Sequence, residues 1–200
     1  MLLHDRLKDF RLILASQSPR RQQLLSDAGL RYELAPRFEC DELFPDDMAA
    51  DDVAGYLSRL KSEAYPAELG EGDILLTADT VVVVDNDILG KPSSREEAIA
   101  MIRRMSGREH KVITGVTLRR KSAAKTFSVC SDVVFRALSD EEIAYYVDNY
   151  RPMDKAGAYG IQEWIGYVGI ERINGSFYNV MGLPVQRVYV ELQEFIDSCK

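Results

Sequence analysis

Hydroxyl and guanidinium groups are concentrated near the start of the chain, where an apolar, strand-like run gives way to a predicted helix. The apolar run is 11–15, and the polar residues that follow it are Ser16, Ser18, Arg20 and Arg21. A helix N-terminus has unpaired backbone N–H groups and a partial positive charge, so it favours an anion. Arginine at that end opposes the helix dipole, and a bound phosphate would relieve the conflict. The pattern fits a phosphate site, and it equally fits a capped surface helix with solvated arginines.

The boundaries of this helix are also predicted by its local sequence. Ser18 suits the N-cap and Pro19 suits the first helical turn. Gly29 suits the left-handed residue that closes a helix. The segment between them is therefore expected to be helical, with its N-terminus directly after the polar residues.

A single carboxylate interrupts the most strand-like segment of the chain. Asp79 lies within 74–84, which is otherwise built from Ile, Leu, Val, Ala and Thr. A carboxylate in such a strand is costly unless it is paired, binds a metal or lies at the strand's end. Asp79 is therefore a candidate magnesium ligand or a base that activates water, with a hydrogen-bonded aspartate at a sheet edge as the alternative. The functional interpretation is favoured because Asp85 and Asp87 already supply the turn that follows.

Two lysines are placed where they could bind phosphate oxygens. Lys61 lies just off the apolar stripe of a predicted helix, and Lys91 lies between a glycine and a proline at a strand-to-helix connection. A lysine is a compact charge suited to phosphate, although each of these alone is more often solvated. Glu42, in an acidic stretch, could complete a metal site with Asp79. Magnesium prefers such oxygen ligands and often shares them with substrate phosphates.

Small residues surround one aromatic ring in the segment 154–162. Glycine permits close backbone approach to a ligand, and Gln162 offers both a donor and an acceptor. The alternative is a tight loop or a strand bulge. The GxxxxGK[ST] phosphate loop occurs nowhere in the chain, so any phosphate site must be built in another way.

Charge and hydropathy exclude several classes of function. The 200 residues carry a net charge of −7, which argues against sequence-independent binding to DNA or RNA. No apolar run approaches the roughly 20 residues that span a bilayer, so we expect no membrane partner. Charged residues within 1–10 do not suit a signal peptide's apolar core.

The cysteine and histidine content predicts a compartment. Cys40, Cys130 and Cys199 are widely spaced and odd in number, which indicates reduced thiols in a cytoplasmic protein. With only His4 and His110 besides, a zinc site is not expected.

Strand-like and helical patterns alternate along the chain, which predicts an α/β protein with a mixed sheet flanked by helices. No linker or repeat is visible, so 1–200 is interpreted as one domain with an N-terminal extension at 1–10. The predicted strands are 11–15, 31–36, 74–84, 111–119 and 126–136, and strand-like, glycine-rich pieces follow in 156–176.

Taken together and in this order, these segments resemble the Maf family of nucleoside triphosphate pyrophosphatases. The resemblance extends from Leu14 to Leu183. Its motifs are Ala15-Ser16-Gln17-Ser18-Pro19-Arg20-Arg21, Lys61, Ala78-Asp79-Thr80, Gly90-Lys91-Pro92, Ser106-Gly107, Ala156-Gly157-Ala158-Tyr159-Gly160-Ile161-Gln162, Ile173-Asn174-Gly175-Ser176 and Gly182-Leu183-Pro184. Gln17 departs from the glycine or asparagine often found between the two serines.

The resemblance implies hydrolysis of a nucleoside triphosphate to the monophosphate and diphosphate, with a divalent cation, Mg²⁺ or Mn²⁺. It implies a twisted central sheet in two lobes with a substrate cleft, as in the inosine triphosphate pyrophosphatases. Asp79 falls on the position of the proton acceptor. Arg20, Thr80 and Gln162 fall on positions that distinguish substrate subfamilies, and their identities resemble the dTTP/UTP branch.

Two alternatives stay open at this stage. One is a nucleotide-binding regulator of septum formation that binds without turnover, and the other is a pyrophosphatase for modified purine or 7-methyl-GTP nucleotides. The family also implies a link to cell-division arrest, and it allows a homodimer.

Overall fold

The computed structural model describes residues 2–198. In this part of the chain the helices are α1 (Leu3–Arg6), α2 (Pro19–Asp27), α3 (Ala50–Glu63), α4 (Arg95–Met105), α5 (Asp140–Tyr150), α6 (Trp164–Gly169), α7 (Phe177–Met181) and α8 (Val185–Asp197). The strands are β1 (Arg11–Leu14), β2 (Glu33–Leu34), β3 (Asp73–Val84), β4 (Asp87–Leu89), β5 (Glu109–Arg119), β6 (Ala124–Phe135) and β7 (Ile170–Asn174). Short 3₁₀ turns occur at Leu7–Asp9 and Ala156–Ala158.

The strands form a mixed sheet with the order β2-β1-β3-β5-β6-β7, and β4 pairs with β3. Strand β1 runs parallel to both β2 and β3, with Leu14 opposite Leu34 and Leu76. Strand β4 is antiparallel to β3, and β7 is antiparallel to β6. This arrangement confirms the expected α/β class with a mixed sheet flanked by helices.

The chain separates into two compact units. The first unit comprises Met1–Asp79, Thr114–Val129 and Gly182–Lys200, and the second comprises Thr80–Ile113 and Cys130–Met181. Strand β3 passes from the first unit to the second between Asp79 and Thr80. The assignment of 1–200 as a single functional domain and the substrate cleft both stay predictions.

In the first unit, helix α3 approaches the sheet unusually closely. Its apolar stripe buries Val53 and Leu57, as the helical spacing predicted. A Cβ placed on Gly115 of β5 would lie 2.2 Å from the carbonyl oxygen of Ala54 in this helix. No side chain fits in that space, so glycine at this position lets the helix backbone lie directly on the strand.

In the second unit, helices α4 and α5 cover a core that includes Ile102, Met105 and Ile143. Each of these helices begins at a serine cap. Ser94 accepts a hydrogen bond from the Glu97 N–H, and Ser139 with Glu142 forms a complete capping box. Such caps satisfy N–H groups that the first turn leaves unpaired.

Two local expectations differ from the structure. The strand predicted at 31–36 is reduced to Glu33–Leu34, both exposed, and the glycine-rich region contains helix α6 before strand β7. The N-terminal extension is helical and buries Leu3 and Leu7, so it belongs to the core of the first unit. None of the described helices is both long and apolar enough to cross a membrane.

Candidate active site

Three of the predicted site residues meet around one ammonium group in the first unit. Asp79 of β3 and Lys61, in the last turn of α3, form an ion pair. The Lys61 Nζ also lies 3.1 Å from the Oε1 of Glu42, in the loop before that helix. The structure therefore joins the strand carboxylate, the helix lysine and the acidic loop in one cluster, which we call the charged cluster.

Burial differs sharply between the two carboxylates of the charged cluster. The side chain of Asp79 is 12% exposed and that of Glu42 is 48% exposed, while Lys61 is 16% exposed. A buried carboxylate needs a charged or hydrogen-bonding partner, and Lys61 supplies one for Asp79. Two carboxylates share this ammonium, and the Arg21 guanidinium also interacts electrostatically with both of them.

Hydroxyl groups tie helix α3 to the strands that carry the charged cluster. The Thr77 hydroxyl, two residues before Asp79, donates to the Ser58 carbonyl 2.7 Å away, one turn before Lys61. The Ser58 and Thr117 hydroxyls are 2.9 Å apart and hydrogen-bonded. These bonds fix the separation of the helix and the strand from which the ion pair is built. Sequence reasoning missed them, although threonine within an apolar strand was a visible signal.

Helix α2 begins and ends where its sequence predicts. Ser18 occupies the N-cap and Pro19 the first turn, and Gly29 has a left-handed backbone with φ of 71°. The Ser18 side chain makes no capping bond; instead its backbone N–H donates to the Ser16 hydroxyl, 3.3 Å away. The Ser18 hydroxyl therefore does not serve as the cap that its position suggested.

Arg21 connects helix α2 to distant parts of the first unit by hydrogen bonds. Its guanidinium donates to the carbonyl oxygens of Gly182 and Ala78 at 2.7 and 2.8 Å, and to the Ser16 hydroxyl at 3.3 Å. Burial lowers the pKa of Arg21, and the nearby charge of Arg20 acts in the same direction. Arg21 is therefore not the solvated arginine that the sequence left as an alternative. Two neighbouring guanidinium groups at a helix start also make a site that favours an anion.

Gln162 lies in the second unit, in a tightly turned loop. Gly157 and Ala158 have left-handed backbones with φ of 67° and 60°. The Gln162 side-chain oxygen Oε1 is buried, and it has no hydrogen-bond partner within residues 2–198. A buried acceptor without a donor costs free energy, so this oxygen is an unsatisfied group in the loop.

Two further predicted residues belong to the second unit. Thr80 is half-buried and follows Asp79 directly in β3, so its side chain points to the opposite face of the strand. Lys91 is exposed and follows strand β4. Their roles toward a substrate stay predictions.

The family of this chain is decided by comparison with known sequences. Residues 11–195 match the family model described as Maf-like protein. The chain belongs to the Maf family. The resemblance seen in its motifs is confirmed over nearly the whole sequence.

Curated relatives of this Maf chain are similar along almost their full length. It is 50% identical to a dTTP/UTP pyrophosphatase of Bacteroides thetaiotaomicron, over 94% of this chain and 97% of that one. It is 51% identical to a dTTP/UTP pyrophosphatase of Porphyromonas gingivalis strain ATCC 33277, over 97% and 98% of the two chains. Among solved structures, a HAM1 protein from Coxiella burnetii matches 92% of this chain and 99% of its own, with 14% identity and a TM-score of 0.46.

The donor set of this Maf chain fits a hard divalent cation. Asp79 and Glu42 converge on the same ammonium, and carboxylate oxygens are the ligands that Mg²⁺ prefers. Within the described chain no group of three or more His, Cys, Asp or Glu side chains could hold a metal ion. Two carboxylates suffice for a cation that completes its shell with water and substrate phosphates.

Two cysteines lie in the part of the chain that the structure describes. Cys40 and Cys130 are free thiols, and Cys199 lies outside the described residues. That the charged cluster and the start of helix α2 bind and process phosphate stays a prediction.

Proposed function

We propose that this Maf-family chain hydrolyses dTTP and UTP to the nucleoside monophosphate and diphosphate. The observation that carries the proposal is the buried Asp79 carboxylate, held by Lys61 with Glu42 beside it. Relatives at about 50% identity that are named dTTP/UTP pyrophosphatases support the choice of substrate. Water cleaves the anhydride bond between the α and β phosphates, and diphosphate leaves.

Asp79 acts in this proposal as the proton acceptor. Its carboxylate takes the proton that water loses as its oxygen bonds to phosphorus. Lys61 holds that carboxylate in place and offers an ammonium close to the developing charge. A divalent cation, Mg²⁺ or Mn²⁺, held by Asp79 and Glu42 when bound, would neutralise charge on the phosphates.

The remaining cationic and hydroxyl groups position the phosphates. Those assigned to phosphate binding are Ser16, Ser18, Arg20, Arg21, Lys61 and Lys91. Phosphoryl transfer depends mainly on such positioning and on electrostatic stabilisation, because the protein forms no covalent bond to the substrate.

Selection of the base rests in this proposal on Gln162, with Arg20 and Thr80 as supporting contacts. Thymine and uracil carry an N3–H donor between two carbonyl groups. The unpaired Oε1 of Gln162 is an acceptor for that N–H, and its Nε2 can donate to a neighbouring carbonyl. Cytosine presents an acceptor at N3, which would face Oε1 and leave it unpaired. The cost of about 1–3 kcal/mol corresponds to roughly ten- to hundred-fold discrimination.

A panel of natural and modified triphosphates with Mg²⁺ tests the proposal, with product analysis that separates diphosphate from phosphate. We expect rapid release of diphosphate from dTTP and UTP, and slow release from CTP, ATP and GTP. Binding without turnover would favour a nucleotide-binding regulator of septum formation. Faster hydrolysis of GTP or 7-methyl-GTP than of dTTP and UTP would place the chain in another substrate branch.

The setting of this activity is proposed from the sequence. The free thiols of Cys40 and Cys130 are compatible with the reducing cytoplasm, where nucleoside triphosphates are plentiful. Light scattering of the purified protein tests the homodimer, and localisation of the tagged chain tests the compartment.

A further inference from the structure

One ammonium occupies the point on which the two carboxylates of the charged cluster converge. The Lys61 Nζ forms an ion pair with Asp79 and lies 3.1 Å from the Glu42 Oε1. The same two carboxylates are the proposed ligands of a divalent cation, and Mg²⁺ binds carboxylate oxygens at about 2.0–2.1 Å. The position between the carboxylates therefore holds either the ammonium or the cation, and not both.

The balance of charge leads to the same conclusion. Lys61 pairs with Asp79 and Glu42, and the Arg21 guanidinium interacts electrostatically with the same two carboxylates. Two cations thus already match two anions, and Arg20 adds a further positive charge near Arg21. A divalent cation added to this set is repelled unless one of the resident cations moves away.

The two resident cations differ in how they are held. The Arg21 guanidinium donates to two backbone carbonyls and one hydroxyl, which are neutral acceptors that a metal ion bound to the carboxylates leaves in place. The Lys61 Nζ has only the two carboxylates as hydrogen-bond and ion-pair partners within residues 2–198. A lysine ammonium is also carried on a flexible four-carbon stem. Lys61 is therefore the cation that can change its position.

We propose that Lys61 exchanges partners when a divalent cation and the nucleotide bind. In the free protein its ammonium occupies the cation position between Asp79 and Glu42, and in the loaded protein it pairs with phosphate oxygens instead. Phosphate replaces the carboxylates as acceptor, so the ammonium keeps a charged partner throughout. The inference rests on the proposed hydrolysis of dTTP and UTP, and it explains how one lysine serves both Asp79 and the phosphates.

The first test measures binding of Mn²⁺ alone, without nucleotide, from the electron paramagnetic resonance signal of the unbound ion. It compares the wild type with Lys61→Met, which keeps an unbranched side chain and removes its charge. We expect the Kd for Mn²⁺ to be about tenfold lower in Lys61→Met, because the competing ammonium is gone. The matched control is Lys121→Met, an exposed lysine paired with Glu71, for which the Kd should not change. Equal or weaker binding by Lys61→Met, or no binding by either protein, would overturn the inference.

The second test follows the Lys61 amine in the wild type, and it decides the matter even where Lys61→Met does not fold. Acetylation by an amine-reactive ester, read by mass spectrometry, reports the accessibility of each lysine. The Lys61 side chain is 16% exposed, so its reaction in the free protein should be slow. At Mn²⁺ concentrations that fill the site its rate should rise by about threefold or more, since the ammonium leaves the carboxylates. Addition of α,β-imido-dTTP, whose α–β bond resists cleavage, should lower the rate again, while Lys121 should react equally in all three states.

The outcomes separate this inference from the proposed function. An unchanged Lys61 rate at saturating Mn²⁺ would show that the ammonium stays on the carboxylates, and would refute the inference even if dTTP is hydrolysed. Both expected results in a wild type that releases no diphosphate from dTTP would refute the proposed function and leave the exchange at Lys61 standing.

Discussion

The charged cluster of the first unit and the Gln162 loop of the second use opposite electrostatic designs. In the charged cluster, the groups assigned to chemistry are ionised and touch one another: Asp79 and Glu42 share Lys61. In the Gln162 loop, the group assigned to the substrate is a neutral carboxamide, and the ion pair of Lys155 and Glu163 in the same loop is not assigned to the substrate.

The difference follows from what each region must do. Cleaving an anhydride requires a base and stabilisation of developing charge, which ionised groups provide. Choosing between bases requires a match of donors and acceptors, and a neutral amide left unpaired by the wrong base provides that. We therefore expect changes in the charged cluster to alter rate, and changes in the Gln162 loop to alter selectivity.

The largest effect is expected for Asp79→Asn, which removes the charge and basicity of the carboxylate at constant size. Turnover of dTTP should fall by about 100-fold or more, because a catalytic base or metal ligand is lost. Folding should survive, since Lys61 keeps Glu42 as a partner. Steady-state kinetics at saturating Mg²⁺ measures the loss, and the exposed Asp47→Asn is the matched control. Near-normal turnover would show that Asp79 is not the base.

Alanine variants of the two arginines at the start of helix α2 should differ: one should lower stability and the other should weaken substrate binding. Arg21→Ala leaves the carbonyls of Ala78 and Gly182 without this donor, and should cost about 1–3 kcal/mol of unfolding free energy. Arg20→Ala should weaken substrate binding by roughly 1.5–3 kcal/mol and change stability little. Urea unfolding and KM for dTTP, measured on both variants, decide the assignment. Equal effects of the two variants on stability would contradict it.

A smaller effect is expected for Glu42→Gln. Glu42 is about half exposed and Asp79 is not, so solvent screens its interaction with Lys61 and a bound cation more strongly. Turnover should fall by about three- to tenfold, with a higher Mg²⁺ concentration needed for half-maximal rate. A loss as large as that of Asp79→Asn would mean that the two carboxylates act as one unit.

The smallest effect is expected for His110→Phe, which should alter the pH dependence of stability. His110 contacts Tyr159 in the Gln162 loop. Its Nε2 lies 2.8 Å from the Tyr159 hydroxyl, and burial lowers its pKa from 6.5 to about 4. The unfolded chain binds this proton below about pH 6.5 and the folded chain only below about pH 4. Stability therefore falls as pH falls through that window and then levels off. In His110→Phe the loss of unfolding free energy between about pH 7 and pH 4 should be smaller than in the wild type. An identical loss would show that His110 does not titrate in this way.

Local patterns predicted the parts of the molecule that local chemistry determines. Helix α2 begins at Pro19 because proline suits the first helical turn. Asp79 stood out because a carboxylate in an apolar strand needs a partner. The partners themselves lie far away in sequence. The Arg21 guanidinium bonds to Ala78 and to Gly182, which are 57 and 161 positions away. No residue-type pattern near Arg21 specifies those contacts, so these hydrogen bonds could not be predicted from the sequence.

The Gln162 loop shows the same limit at shorter range. Its glycines and the carboxamide were visible in the sequence, but the contacts of Lys155 and Tyr146 with the Glu163 carboxylate were not. Those contacts require helix α5 to pack on the loop. The packing of the N-terminal extension could likewise not be predicted, because burial of Leu3 requires contact with helix α8, where Tyr189 accepts a hydrogen bond from the Leu3 N–H at 3.2 Å.

The most direct test of the account measures kcat/KM for dTTP and CTP in the wild type, Asp79→Asn and Gln162→Ala. Asp79→Asn should lower kcat/KM for both substrates by the same factor, of about 100-fold or more, so that the dTTP:CTP ratio of kcat/KM is unchanged. Gln162→Ala should lower kcat/KM for dTTP more than kcat/KM for CTP, which brings their ratio toward one. An altered ratio in Asp79→Asn, or an unchanged ratio in Gln162→Ala, would contradict the division of rate and selectivity between the two regions.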